Sequence, residues 1–582
     1  MESSIVIRDC YKAYSHDQDK TRTPEETIRW VRERLAAVRI DILAHTQRID
    51  NGRLGIPVYL SHCGEDAVRY SGAKKQMGKG ATPEQSEASA LMELMERFSF
   101  FSFVHDYPFP MIRYREATPK AISPELLKFS LRDEISSLDA CRAFLDDLPL
   151  RWAPAYNLTH GEEQLIPIDW FYLINEYNGP AAGNTLEEAM LQGLCEVVER
   201  HVGSIISHEN RPTPSIDPRS LRDAASLELM EKFERNGIRV FLRDFSLDTG
   251  IPTVGALAYD PATFPEKSEI IFTAGTSSHP EKALCRALTE VAQLAGDFEN
   301  RTSYRPTLPK YATLDEARYL MDDGASVPVS NLPNLDDDNI RIEIERSVEA
   351  LGRLGMQVFA VNTTNPHLQA PAVYMIVPGA HFLDHTRNTD FPQHAARVIL
   401  RSLPPENAVL HLERLIEVFG KRYDLTFFLA HALELNGRTE DALGLFREAL
   451  SQQPDPGEIA SVYVHMASCQ KDLGKYADAL ESLELAEQFN SGLKEIFNLR
   501  GFCFYKLREH NLAITAFEKA IEIDPGSAID YANIGSNLRE LGMKEEAVRL
   551  YRMALDLDPD IDFARDNIVR LEQELTKRNA GV

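Results

Sequence analysis

No stretch of this chain approaches the ~20 consecutive apolar residues that a bilayer-spanning helix needs, and basic charge is scarce. Lysine and arginine number 63 against 89 aspartates and glutamates, a formal net charge of −26. That deficit argues against broad binding to nucleic acid or to a membrane surface, both of which recruit Lys and Arg. It permits basic partners. The first residues, MESSIVIRDCYKAYSHD, lack the basic start, apolar centre and small-residue cleavage site of a secretory signal, so a cytoplasmic location is expected. Cysteine is sparse: Cys10, Cys63, Cys141, Cys195, Cys285, Cys469 and Cys503 form no C-x-x-C pair. That fits a reducing compartment and excludes a zinc ribbon. A Walker A loop is missing too. Gly72 lies one residue too far from Gly78, and Gly80 stands where Ser or Thr should follow Lys79. At 43% hydrophobic and 26% charged over 582 residues, the chain suits two to four globular domains.

What the chain has is, first, repetition. Gly501 and Gly535, Ala513 and Ala547, Phe517 and Tyr551, and Ala520 and Ala554 are each 34 residues apart. Two earlier copies carry Ala430, Ala442, Phe446, Ala449 and Pro454, then Ala467, Ala479, Leu483 and Ala486 after an insertion near Pro456 and Gly457. The small residues let paired helices approach, and the aromatics fill the space between them. This is the period of tetratricopeptide (TPR) repeats. Residues 423–578 are expected to form an all-α TPR solenoid of about four repeats plus a capping helix from about 561 to 578. Leu403, Pro404 and Pro405 break the preceding pattern, and 403–422 is expected as a linker helix.

Residues 1–402 mix element types. Segments 56–60, 238–242, 253–258, 270–273 and 373–377 read as strands. Helical patterns cover about 24–46, 83–103, 184–207, 224–236, 280–298 and 340–354. One large mixed α/β domain is expected.

Three of these helices carry a stripe of acidic and amide side chains. A helix advances about 100° per residue, so Ser89, Glu93 and Glu96 share a face with Arg97 at its edge. Leu91, Leu94, Met95 and Phe98 lie elsewhere on the helix. On the second, Asn184, Glu188, Gln192, Glu196 and Glu199 project onto one arc ahead of Arg200, with Asn184 expected as the N-cap. On the third, Arg286, Glu290 and Gln293 share a face. Like charges at i, i+4 destabilise a helix by roughly 0.2–0.5 kcal/mol per pair. Solvated stripes would make that cost trivial. Stripes converging inside a domain would need cations, and oxygen-rich clusters suit Mg²⁺. The arginines would then meet phosphate oxygens, and Lys79 between Gly78 and Gly80 is placed to approach phosphate.

These residues resemble a known family. GKGAT followed by SALMELMER is similar to the first nucleotide-binding motif of YcaO proteins, S-x-x-x-E-x-x-E-R. AGNTLEEAMLQGLCEVVER resembles the second, and Arg286-Ala287-Leu288-Thr289-Glu290 with Gln293 resembles the third. IDNGRLGIPVYL and MIVPGAHF also look like family segments, so the resemblance spans roughly 20–400. It implies a YcaO-type domain over 1–402 with ATP and Mg²⁺ as cofactors. Glu93, Glu96, Glu188, Glu196, Glu199 and Glu290 would hold Mg²⁺. Lys79, Ser89, Arg97, Asn184, Gln192, Arg200 and Arg286 would contact the nucleotide, with Glu199, Arg200 and Arg286 catalytic. The resemblance does not locate the adenine-binding residues.

The implied reaction is phosphorylation of a backbone amide oxygen, so that an attacking nucleophile displaces it as phosphate. The chain departs from azoline-forming members, which end in a proline-rich PxPxP tail: it ends RNAGV, and no fused leader-peptide-binding domain is evident. Thioamide formation on a peptide or protein substrate, with a TfuA-like sulfur-delivering partner, is therefore expected. The alternatives are an azoline-forming cyclodehydratase, an accessory factor for ribosomal-protein methylthiolation, and a non-catalytic scaffold or nucleotide-binding regulator. The TPR arm is expected to bind a protein partner, and a homodimer is compatible with the sequence.

Overall fold

In a computed structural model of the chain, residues 5–299, 308–322, 324–382 and 389–579 are described. They divide into two compact units, Met1–Phe391 and Pro392–Val582. The division falls ahead of the 402/403 boundary read from the sequence. The difference is one amphipathic helix, Phe391–Ser402, which groups with the helices that follow it. No helix among the described residues is long and apolar enough to cross a membrane.

Among the described residues the first unit is built on three sheets. Helix α1 (Pro24–Ala37) begins at a capping box, in which Thr23 Oγ1 accepts from the Glu26 N–H while the Glu26 carboxylate accepts from the Thr23 N–H. The helix expected over 24–46 ends early, at Ala37. Val38 turns extended at φ −101° and ψ 150°. After a bend the chain becomes strand β1 (Leu43–Arg48), which pairs antiparallel with β2 (Val58–Cys63). β2 pairs in turn with β3 (Lys75–Lys79), a strand that sequence periodicity did not reveal.

Helix α2 (Pro83–Asp106) lies on this sheet, capped by Thr82, whose hydroxyl accepts from the Gln85 N–H. The approach is so close that a Cβ on Gly78 would run into the Ser86 carbonyl and the Ala90 amide. Leu91, Leu94, Met95 and Phe98 of α2 join Val31 and Ile42 in a buried core.

A six-stranded sheet runs in the order Met111–Arg113, Pro149–Asn157, Phe359–Asn362, Ala372–Ile376, Pro180–Ala182, with Glu162–Pro167 also paired to Pro149–Asn157. Helix α3 (Leu186–Glu209) packs across it. The five-stranded sheet contains β4 (Thr253–Tyr259) paired with edge strand β5 (Ile271–Thr276). Helix α4 (Pro280–Ala295) covers both and ends at left-handed Gly296. Here Gly275 permits the contact, because a Cβ there would collide with the Ala283 carbonyl and the Ala287 amide.

Among the described residues the second unit is built of helices alone. After Pro405–Phe419 come α5 (Tyr423–Leu435), α6 (Thr439–Ser451), α7 (Pro456–Asp472) and Tyr476–Phe489, followed by Lys494–Lys506, His510–Ile523, Ala528–Glu540, Lys544–Leu557 and Asp562–Asn579. Consecutive helices pair as the repeat register requires. A Cβ on Gly501 would lie 2.7 Å from the Phe517 ring, and one on Gly535 would lie 3.1 Å from the Tyr551 ring. Glycine therefore seats the aromatic in these two repeats. The terminal residues 580–582, part of the tail read from the sequence, lie outside the described residues.

Candidate functional site

Helices α2, α3 and α4 present their acidic faces to one cavity of about 580 Å³ within the first unit. All thirteen site residues expected from the sequence line it: Lys79, Ser89, Glu93, Glu96, Arg97, Asn184, Glu188, Gln192, Glu196, Glu199, Arg200, Arg286 and Glu290. The faces are largely withdrawn from solvent, with the Glu93 side chain the most open of the carboxylates at 32% exposed. Glu188 is 4% exposed, Glu199 2% and Glu290 8%.

Each helix is anchored by its apolar side, which leaves the polar side to meet its neighbours. On α2, Arg97 donates to Glu93 at 3.0 Å, lies 3.4 Å from Glu96, and donates to the Tyr177 carbonyl at 3.0 Å. On α3 the N-cap is Thr185, which corrects the expectation for Asn184: the Thr185 hydroxyl accepts from the Glu188 N–H at 3.1 Å. A hydroxyl one residue closer to the helix reaches that amide. Asn184 is freed to turn inward, where its Nδ2 donates to Glu188 at 3.1 Å and its Oδ1 accepts from Thr27 at 3.1 Å. Glu196 accepts from the Gly179 N–H at 3.1 Å, and Glu199 from the Thr276 N–H at 3.1 Å. Arg200 lies 3.3 Å from Glu199 and 3.8 Å from Glu196. On α4, Arg286 donates to Gln192 at 2.8 Å, while Glu290 pairs with Lys79 from β3.

Crowding of charge shifts the titrations in opposite directions. Burial pushes Glu96, Glu196 and Glu199 above the ordinary carboxylate value; neighbouring Glu93 adds to the effect on Glu96 and Glu196, and Glu290 to that on Glu199. Burial acts the same way on Glu290, but Lys79, Arg200 and Arg286 outweigh it and hold that carboxyl low. Arg97 and Arg200 are raised: burial opposes their charge, and the surrounding glutamates overcome it.

Sequence reasoning missed part of the lining. Gln18, Lys20 and Arg22 enter from the N-terminal segment, and Lys75 and Gln76 from β3. Lys20 lies 3.6 Å from Glu188, and Thr21 donates to the same carboxylate from its N–H at 3.1 Å and its hydroxyl at 2.9 Å. The N-terminal segment is irregular and carries no periodic signal. β3 carries only the short alternation of Lys75, Met77 and Lys79.

Two observations test whether this lining fits a polyanion carried with divalent cations. The donor set is right for hard cations, with carboxylate oxygens from three helices in one cavity. It also offers unused donors, since Arg22 Nη1 and Arg286 Nε are buried without a hydrogen-bond partner. A buried donor left unmade costs about 1–3 kcal/mol, and phosphate oxygens would satisfy both. Fold and site thus define a class: a mixed α/β protein with a cleft suited to a metal-complexed nucleotide.

The chain belongs to the YcaO family. The family model described as "YcaO cyclodehydratase, ATP-ad Mg2+-binding" matches residues 77–381, so the cofactors are ATP and Mg²⁺. Three TPR models match 403–459, 495–527 and 531–561. An uncharacterized protein of Methanothermobacter thermautotrophicus is 28% identical over 387 residues, 61% of this chain and 93% of that protein. An uncharacterized protein in the tfuA 3' region of Rhizobium leguminosarum bv. trifolii is 26% identical over 338 residues, 52% of this chain and 76% of that one. Among solved structures, a heterocyclase in complex with substrate and cofactor aligns with a TM-score of 0.52 at 22% identity. The alignment covers 65% of this chain and 54% of that chain, which establishes likeness of fold alone.

Proposed function

We propose that this chain uses Mg²⁺-ATP to phosphorylate a backbone amide of a peptide or protein, for thioamide formation with a TfuA-like sulfur-delivering protein. The observation that carries the reading is the convergence of the three acidic helix faces with Arg200, Arg286 and Lys79 on one buried cavity. Glu93, Glu96, Glu188, Glu196, Glu199 and Glu290 hold the divalent cations, since clustered buried carboxylates require counter-charge. Ser89, Asn184 and Gln192 orient the nucleotide. Arg200 and Arg286 contact its phosphates, with Lys79 and Arg97 assisting. Bound Mg²⁺-ATP supplies the phosphoryl group that makes the amide oxygen a leaving group. Arg200 and Arg286 contribute fixed positive charge, and the buried walls around them exclude water, which strengthens it.

The relative in the tfuA 3' region supports the choice of sulfur partner. The TPR arm supports a protein partner, because such arrays present an extended concave surface. Mass spectrometry of the proteome with and without this gene tests the reading. Replacement of one amide oxygen by sulfur on a specific peptide is the expected mass change. Loss of one water instead would assign azoline formation, and no gene-dependent change would remove the enzymatic reading.

A further inference from the structure

The second unit holds a cluster that neither the family match nor the nucleotide cleft accounts for. His431 and Glu434 stand three residues apart on α5, hence on one face of that helix. His465 reaches them from α7, in the next repeat. One ligand atom from each lies within 4.8 Å of the other two. His465 Nδ1 is 2.8 Å from Glu434 Oε2, and the two imidazole centroids are 4.5 Å apart.

The aromatic surroundings fix the rings. Phe446 from α6 stacks on His465 at 5.5 Å and 19°, and Phe427 meets it edge-on at 5.3 Å and 77°. The Glu434 side chain is 13% exposed and that of His465 is 25% exposed. The cluster is therefore held on one side and open on the other. A second carboxylate-rich group, Asp19, Asp336 and Glu343, has comparable spacing. It already contains its cation, because Lys12 Nζ lies 3.2, 2.6 and 2.8 Å from the three. The His431 group has no lysine or arginine in that role among its members.

We propose that His431, Glu434 and His465 bind one Zn²⁺ ion that ties the first TPR repeat to the second. Two imidazoles and a carboxylate are the three-ligand set of open zinc sites. Imidazole nitrogen also selects a first-row transition metal over Mg²⁺. Bonds of about 2.0–2.2 Å in a tetrahedron put ligand atoms roughly 3.4 Å apart. The His465–Glu434 contact therefore opens slightly and the wider pairs close, both within side-chain torsion. The exposed side leaves the fourth position to water or to a side chain of a bound protein.

The test uses the full chain, stripped of metal and then titrated with Co²⁺ in excess Mg²⁺, so that the oxygen-lined cleft is occupied by Mg²⁺. The expected result is one equivalent showing the intense visible absorption of a four-coordinate site, displaced by stoichiometric Zn²⁺. Saturating Zn²⁺ should also raise the unfolding midpoint of the helical array by roughly 5 °C. His465→Gln should lose both effects while keeping its helical circular dichroism. If that variant loses helicity, Glu434→Gln replaces it as the probe. Absence of the absorption from the parent chain, or its persistence in His431→Gln and whichever of the other two variants folds, overturns the proposal.

Discussion

Glu199 is the most tightly enclosed of the cleft carboxylates, pinned between the Thr276 amide and Arg200. Glu199→Gln keeps its volume and its ability to accept from Thr276 but removes the charge. Under the proposed reaction it should cut ATP-dependent phosphate release by at least about 100-fold and leave the thermal midpoint nearly unchanged, as stopped assays and calorimetry would read. Outside the cleft, Glu343 adds a pH response of its own. Burial raises Glu343 to about 7 against an ordinary 4.5, in opposition to the hydrogen bond and charge of Lys12. Its unfolded carboxyl therefore releases a proton well before its folded one does. The stability tied to the protonated form is complete below 4.5 and is lost as pH rises through about 7. Across that window Glu343→Gln should gain in midpoint relative to the parent, a difference that pH-resolved melts would detect. At this scale eleven of the thirteen cleft residues were legible because each sits on a long helix of fixed phase, while Asn184 just ahead of α3 and Lys79 at the end of β3 were legible from the motifs that flank those helices. Lys20, Arg22 and Lys75 were not, since an irregular segment and a five-residue strand give no phase to read.

Among elements, long amphipathic helices announced themselves, and the paired acidic and apolar faces of α2, α3 and α4 point as the 100° step requires. Strands were harder. β3 and most of the six-stranded sheet are short or buried on both faces, so alternation is weak. The run after Ala37 looked helical because the shift to an extended backbone at Val38 has no glycine or proline to mark it. Element packing also makes a prediction at Gly275, where β5 and α4 touch backbone to backbone. Gly275→Ala must push away the helix that carries Arg286 and Glu290. It should cost roughly 1–3 kcal/mol of stability and weaken Mg²⁺-nucleotide binding, measured by chemical denaturation and titration calorimetry. Gly352→Ala, where an added Cβ meets nothing within 4 Å, serves as the neutral control.

For the whole molecule, a chain with 89 acidic and 63 basic residues keeps six carboxylates in one cleft, and ligand binding should register strongly in stability. A non-hydrolysable ATP analogue with Mg²⁺ at a hundredfold excess over its dissociation constant should stabilise residues 1–391 by about 2.7 kcal/mol. Chelation of the Mg²⁺ should return the calorimetric midpoint to that of the free protein. The two-part architecture was legible in outline from a repeat period at one end and mixed patterns at the other. Sheet order was not, because strands adjacent in the six-stranded sheet, such as Pro149–Asn157 and Phe359–Asn362, are some two hundred residues apart in the chain. The glycine–aromatic seats at Gly501 with Phe517 and Gly535 with Tyr551 each lie inside a single repeat, so damage to one need not propagate to the next. A protease admitted at the far end should accordingly trim the arm in discrete rungs, each about one repeat long, rather than dissolve it at a stroke.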